Sequence, residues 1–220
     1  TALFLPETNK HINEDKKGKL FDFPKLFKTL FHPQVGSTFL ISLIYYLAFA
    51  CAIIYGFQPF ALNVLHVTVS QNAMLFTLFG VVGLITQTLL VQRFTKWLGL
   101  KRAFMMSLFF TGVAFAIMPF SFSIAMFVLV NIILGVANGI AQTLIPAILS
   151  READAKSQGS IMGLNASYQS LGMIIGPIVG GLLATVFIPF PFLLGSVLVF
   201  LCFILSFKIM RPGTRPLSEF

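Results

Sequence analysis

Six apolar stretches follow one another along this chain, and Lys and Arg residues occur in only every second gap between them. All fifteen Lys and Arg residues lie before the first stretch, between the second and third, between the fourth and fifth, or at and beyond the end of the sixth. Each stretch is close to the roughly 20 residues that a helix needs to cross a bilayer. Because cytoplasmic loops carry an excess of Lys and Arg, the alternation predicts six transmembrane helices with both ends of the chain in the cytoplasm.

The composition supports a helical membrane protein and argues against other classes. The chain is 57% hydrophobic and 10% charged, whereas about a quarter of a soluble domain is charged. The stretches lack the alternation of barrel strands, so an all-α fold is expected. The net charge of +8 does not indicate nucleic-acid binding, because the cations follow the topology rather than one face. Cys51 and Cys202 lie inside stretches without metal-ligand spacing, so neither a metal nor a cofactor is predicted.

The sequence divides into three predicted parts. Residues 1–34 would hold the end of a preceding helix and a Lys-rich cytoplasmic loop. Near Phe23 and Phe31 this loop has either a short amphipathic helix on the membrane surface or only a linker with apolar side chains. Residues 35–209 would form the six-helix bundle, and residues 210–220 a cytoplasmic tail. The chain begins at Thr1, and we expect it to be part of a longer protein. The predicted spans are residues 36–57, 72–92, 103–119, 123–149, 158–184 and 190–209.

Small and polar residues form stripes on four of the spans. At about 100° per residue, positions spaced three and four apart share one face of a helix. The stripes are Thr38, Ser42, Tyr45, Phe49, Ala52 and Gly56 on the first span; Ala73, Gly80, Gly83 and Gln87 on the second; Asn131, Gly135, Asn138 and Gln142 on the fourth; and Asn165, Gln169, Gly172, Gly176 and Gly180 on the fifth. The third and sixth spans are apolar nearly all round. The order striped, striped, plain thus occurs twice, which predicts two inverted three-helix repeats with the plain helices facing lipid.

Two interpretations of the stripes remain open. Small residues allow tight helix packing, and Asn, Gln, Ser and Thr can bond across helices. We favour packing for the glycines and a cavity face for the carboxamides of the fourth span. Side chains from four spans would converge near mid-membrane, where transporter sites lie. The predicted substrate-cavity residues are Tyr45, Tyr46, Gln87, Asn131, Asn138, Gln142, Asn165, Tyr168 and Gln169.

Three segments resemble one family of transporters. Gly176-Pro177-Ile178-Val179-Gly180-Gly181, preceded by residues 158–163, resembles the eleventh helix of the major facilitator superfamily. The nearest branch is that of the drug–proton antiporters, which includes tetracycline exporters. Residues 5–8 resemble the end of that family's sixth helix, and residues 93–102 its basic loop between helices eight and nine. In that loop, Gln92 and Lys96 replace a glycine and an acidic residue of the family motif.

The resemblance covers nearly the whole chain, as the carboxy-terminal half of twelve helices. It implies two six-helix bundles that rock around a central cavity, with an amino-terminal half as partner. It also implies packing or gate positions at Gly176, Pro177, Gly180 and Gly181, and a cytoplasmic loop containing Arg93, Gly99, Lys101 and Arg102.

Ionisable side chains are almost absent from the spans. None contains Asp, Glu, Lys, Arg or His, except for Lys208 in the last turn of the sixth. Because a charge in mid-membrane is costly and usually functional, protons would be coupled through residues of the other half. The predicted function is proton-coupled efflux of drug-like or other small organic molecules by alternating access, across a bacterial cytoplasmic membrane.

The sequence leaves other functions to compare with efflux. A sugar or nutrient permease is the alternative, since stripes of Asn and Gln also suit sugar hydroxyls. A purely structural six-helix protein would not need four polar stripes. No enzyme is predicted, because no nucleophile in the spans has a base or a metal cluster beside it.

Overall fold

Six helices make up the bundle in the computed structural model, which describes residues 29, 30, 32, 35–153 and 157–209. They are α1 (Gly36–Asn63), α2 (Val69–Leu98), α3 (Leu100–Phe120), α4 (Ile124–Glu152), α5 (Gln158–Val186) and α6 (Phe190–Ser206). The first five are long and apolar enough to cross a membrane, and α6 is apolar but has only 17 residues. The all-α fold is confirmed, while the sixth crossing and the inverted repeat stay predictions. Most of the predicted amphipathic helix, including Phe23 and Phe31, and the whole tail fall outside the described residues.

The helices begin and end close to the predicted bounds, and the differences have local causes. Helix α1 continues past Phe57 through Gln58–Asn63, because Pro59 sits at the start of that last segment, where its missing N–H is tolerated. Helix α2 continues past residue 92 to Leu98, carrying its basic side chains beyond the apolar region. Gly99 then turns the chain into α3 with a φ of +77°, a conformation that glycine adopts without strain.

Two helices contain a stretch of π-helix. Ala50–Phe57 in α1 and Thr86–Leu90 in α2 are wound in this wider form. Stretches of π-helix are rare in proteins, and those that occur are often found at functional sites. They leave no signal in the sequence, because the apolar character of the span continues through them.

Glycines on α5 allow it to pack closely against α1. A Cβ atom at Gly172 would lie 2.8 Å from the Leu43 carbonyl oxygen, and one at Gly176 2.6 Å from that of Leu47. At Gly180 the corresponding distance, to the carbonyl oxygen of Cys51, is 2.7 Å. The backbones therefore meet along three successive turns, as small residues permit in membrane helices.

Helices α2 and α4 meet through a similar seam. Cβ atoms at Gly135 and Gly139 would lie 2.9 Å from Val82 Cγ1 and 3.1 Å from Thr86 Cβ. The glycines of the α4 stripe thus serve packing between these two helices.

The plain helices α3 and α6 are packed more deeply than expected. Half of the apolar window of α3 is buried, against 17% of the windows of α2 and α5. Leu108 of α3 and Val199 of α6 are fully buried, and Ser196 Oγ donates to the Gly112 carbonyl oxygen at 2.9 Å. Helix α3 therefore buries one half of its surface within this bundle and leaves the other half for lipid. In this bundle, α2 and α5 have the largest free faces.

Aromatic rings join four helices at the end of the bundle away from the basic loop. The Phe57 ring of α1 lies 4.6 Å from that of Phe76 and 4.9 Å from that of Phe127, between centroids. Phe60 lies 5.7 Å from Phe127 and 5.6 Å from Phe192 of α6. Each such pair contributes about 0.5–1.5 kcal/mol beyond burial, so these contacts stabilise the packing of α1, α2, α4 and α6 at this end.

Candidate functional site

Hydroxyl groups along one face of α1 bond to α4 and α5. Their spacing of four and then three residues places them on one side of the helix. The bonds run from Thr38 Oγ1 to Glu152 Oε2 at 2.8 Å, from Ser42 Oγ to Asn165 Oδ1 at 2.8 Å, and from Tyr45 OH to Asn138 Oδ1 at 2.7 Å. The polar stripe of α1 therefore fixes the positions of two neighbouring helices.

Asn138 is the centre of a cluster of three uncharged polar side chains. Its Oδ1 accepts from Tyr45 OH at 2.7 Å and from Gln142 Nε2 at 3.1 Å. Tyr45 is fully buried and Asn138 is 6% exposed, whereas Gln142 is only partly buried. A carboxamide carries both hydrogen-bond donors and acceptors. The uncharged Gln142 side chain, at the exposed edge of this cluster, is therefore suited to bind a neutral or cationic ligand.

Helix contacts bring other predicted residues to the level of this cluster. Gly139, beside Asn138, packs against Thr86, and Thr86 precedes Gln87 in the π-helical stretch of α2. On the other side, Tyr46 Cβ lies 3.0 Å from the Cβ position of Gly172. Gln169 lies one turn before Gly172 on α5.

The nine predicted cavity residues fall into two sets. The exposed or partly exposed ones are Tyr46, Gln87, Gln142 and Gln169, and the buried ones are Tyr45, Asn131, Asn138, Asn165 and Tyr168. The described helices themselves cover the second set, so only the first set presents polar atoms at the surface of the bundle.

Asn131 and Tyr168 illustrate the buried set. Asn131 Nδ2 donates to the Leu75 carbonyl oxygen of α2 at 3.5 Å, and its Oδ1 has no hydrogen-bond partner among the described residues. The Tyr168 ring packs on Phe39 of α1, with centroids 5.0 Å apart. These residues lie in the seams between helices.

The predicted gate positions on α5 pack against α1 at its π-helical stretch and just before it. Gly176 and Gly180 face α1 between Leu47 and Cys51, and a Cβ at Gly181 would lie 3.4 Å from the ring of Tyr55. Helix α5 continues through Pro177 without a break in its assignment. A pivot at this position stays a prediction.

The basic loop has a structural role at Gly99 and Lys101. Gly99 forms the turn, and Lys101 Nζ donates to the carbonyl oxygens of Phe207 at 3.2 Å and Ile209 at 2.7 Å. A cation at the carboxyl end of a helix offsets the partial negative charge of its free carbonyls. Lys101 thus closes the end of α6, while Arg93 and Arg102 are exposed.

Some participating residues were not predicted as part of the site. Thr38 and Ser42 belong to the stripe of the first span, and that stripe was the signal for the bonds they make. Thr86 had no comparable signal, because its contact with Gly139 depends on how α2 crosses α4.

Comparison with known proteins places the chain in a family. Residues 2–220 match the family model of the Major Facilitator Superfamily. The chain belongs to the Major Facilitator Superfamily. This membership confirms the resemblance seen in the sequence and makes the chain a membrane-embedded member of a family of transporters, not of enzymes.

Two relatives in Bacillus subtilis (strain 168) are similar to this superfamily member. One is multidrug resistance protein 1, 31% identical over 196 residues, which cover 87% of this chain and 48% of that protein. The other is multidrug resistance protein 2, 29% identical over 199 residues, which cover 88% of this chain and 49% of that protein. The chain spans about half the length of these curated relatives.

Proposed function

We propose that this chain is one half of a secondary transporter that exports drug-like or other small organic molecules in exchange for protons. The observation that carries the proposal is the uncharged cluster of Tyr45, Asn138 and Gln142. No Asp, Glu, Lys, Arg or His occurs in residues 36–63 or 124–150, the parts of α1 and α4 around this cluster. Neutral donors, acceptors and aromatic faces can hold a large, partly apolar substrate in several orientations. The printed names of the two relatives support multidrug resistance as the class of activity.

The two sets of polar residues would have different tasks. Tyr46, Gln87, Gln142 and Gln169 would contact the substrate, since they are at least partly exposed at one level of the bundle. The buried Tyr45 and Asn138 would hold Gln142 in place through their shared hydrogen bonds.

The free faces of α2 and α5 support a second six-helix bundle as partner. Only 17% of the apolar window of each helix is buried, and their exposed residues include Leu84 and Leu89 on α2 and Ile178 and Leu182 on α5. The partner bundle would cover these faces, complete the cavity and supply the carboxylate that takes up protons. Rocking of the two bundles, with Gly176 and Pro177 near the pivot, would give alternating access.

The distribution of Lys and Arg and the bacterial relatives support a location in the cytoplasmic membrane. The basic gaps would face the cytoplasm under the charge rule for membrane loops, and the bacterial relatives support a bacterial cytoplasmic membrane.

Transport assays on the intact protein in everted membrane vesicles test the proposal. With an acidic interior, we expect the vesicles to accumulate a fluorescent cationic dye such as ethidium, and we expect a protonophore to abolish the accumulation. Counterflow of radiolabelled glucose without dye movement would instead support the permease alternative, which the exposed carboxamides of Gln87, Gln142 and Gln169 also fit. Transport of neither compound class across a panel would contradict efflux.

A further inference from the structure

An apolar groove lies on the side of α4 opposite the Asn138 cluster. It has a volume of about 280 Å³ and is bounded by the end of α2, by α3 and by α4. At about 100° per residue, Ile133, Val136 and Ile140 of its lining are on the far side of α4 from Asn138. The groove is therefore separate from the proposed transport site.

The length and the apolar lining of the groove suit part of a hydrocarbon chain. Along α3 it runs from Ala103 to Phe110, which is about 10 Å at 1.5 Å per residue. That length fits within one leaflet, about half of the roughly 30 Å hydrocarbon core. Its one polar lining residue is Ser107, whose hydroxyl already donates to the Phe104 carbonyl oxygen at 2.7 Å.

Two exposed cations, Arg93 and Arg102, are close in sequence to residues that line the groove where α2 meets α3. Arg102 lies one turn before the lining residue Met106, and Trp97 lies three residues after the lining residue Phe94. Arg93 and Arg102 are exposed, and Trp97 is 88% exposed. No Asp or Glu occurs between residues 23 and 151. Tryptophan favours the headgroup level of a bilayer, and juxtamembrane cations attract anionic lipids of the cytoplasmic leaflet.

We propose that this groove binds an anionic phospholipid from the cytoplasmic leaflet, with one acyl chain along α3 and α4 and the phosphate between Arg93 and Arg102. The inference rests on the proposed orientation of the basic loop toward the cytoplasm, and not on the identity of the transported substrate. Lys101 takes no part, because its ammonium group is bonded to the end of α6. A bound lipid would contact α2, α3 and α4 together.

Native mass spectrometry of the intact transporter tests the site. The detergent-solubilised protein is titrated with phosphatidylglycerol or with phosphatidylcholine of the same acyl chains. We expect tighter binding of phosphatidylglycerol by the parent. The double variant Arg93→Gln/Arg102→Gln should lose about 25-fold of this affinity, since each cation near an anionic surface contributes about five-fold. It should bind phosphatidylcholine like the parent.

Two further variants separate the groove from general surface charge. Arg151→Gln removes an exposed cation at the other basic gap and should leave both lipid affinities unchanged. Val136→Phe fills the groove and should weaken both lipids without changing the melting temperature in detergent. Equal binding of the two lipids by the parent, an unaltered double variant, or an equal loss in Arg151→Gln would overturn the proposal. Disulfide cross-linking of a cysteine at Met106 to the partner bundle would also overturn it, because the groove would then be a protein interface.

Discussion

The hydroxyl of Tyr45 connects α1 to α4 through one oxygen of Asn138. The variant Tyr45→Phe keeps the buried ring and removes this bond, so we expect a loss of about 0.5–1.5 kcal/mol in the free energy of unfolding. Asn138 and Gln142 would then be free to turn, which should change the relative transport rates of different dyes. Thermal unfolding and dye efflux measure the two effects. Tyr55→Phe, at an exposed ring, is the matched control, and an equal response of both variants would contradict the assignment.

Replacing two glycines of α5 by alanine should change the stability of the protein in opposite directions. A methyl group at Gly176 would lie 2.6 Å from the Leu47 carbonyl oxygen and 2.7 Å from Ala50 Cβ, so Gly176→Ala should destabilise the bundle by about 1–3 kcal/mol. At Gly163 nothing lies within 4 Å, so Gly163→Ala should stabilise the helix by about 0.5–1 kcal/mol. Melting temperatures of the two variants decide this. A neutral Gly176→Ala would mean that α5 does not pack on α1 as described.

The sequence predicted the polar residues of the site but not which of them are covered. Asn131 and Asn138 belong to one stripe, yet Asn131 bonds to α2 and Asn138 to α1. A stripe shows which face of its own helix carries the polar side chains. It does not say which neighbour passes at a given depth, and the two residues lie two turns apart.

Among the helices, the end of α6 provides a test of the basic loop. Lys101→Met removes both bonds to the carbonyl oxygens of Phe207 and Ile209 and should cost about 1–2 kcal/mol of stability. Lys96→Met, at an exposed lysine of the same loop, should cost little. Chemical denaturation of the purified protein compares them. Loss of transport by Lys101→Met at unchanged stability would instead favour a charge relay through this loop.

The helix bounds were predictable because six apolar stretches and their cations determine them, whereas the packing of α3 was not. Leu, Val and Phe suit a lipid-facing surface and a membrane protein core equally well, because lipid tails are as apolar as the core. The sequence therefore could not show that Leu108 and Val199 are buried. Gly112 and Ser196, which join α3 to α6, were the available signal.

For the whole bundle, we expect one wet, uncharged surface at mid-membrane, formed by α1, α2, α4 and α5. Aromatic rings hold one end of the bundle together, and the bonds of the α1 stripe fix α4 and α5 against it. The free faces of α2 and α5 lie next to this surface, where a second bundle would complete the cavity.

Protection of a cysteine at Gln142 by substrate tests this claim most directly. In the intact transporter, with the buried Cys51 and Cys202 replaced by alanine, Gln142→Cys is labelled by a water-soluble maleimide with and without a transported dye. His66→Cys, in the exposed turn between α1 and α2, is the control. We expect the dye to slow labelling at position 142 and to leave labelling at position 66 unchanged. Equal labelling at position 142 in both conditions would contradict it.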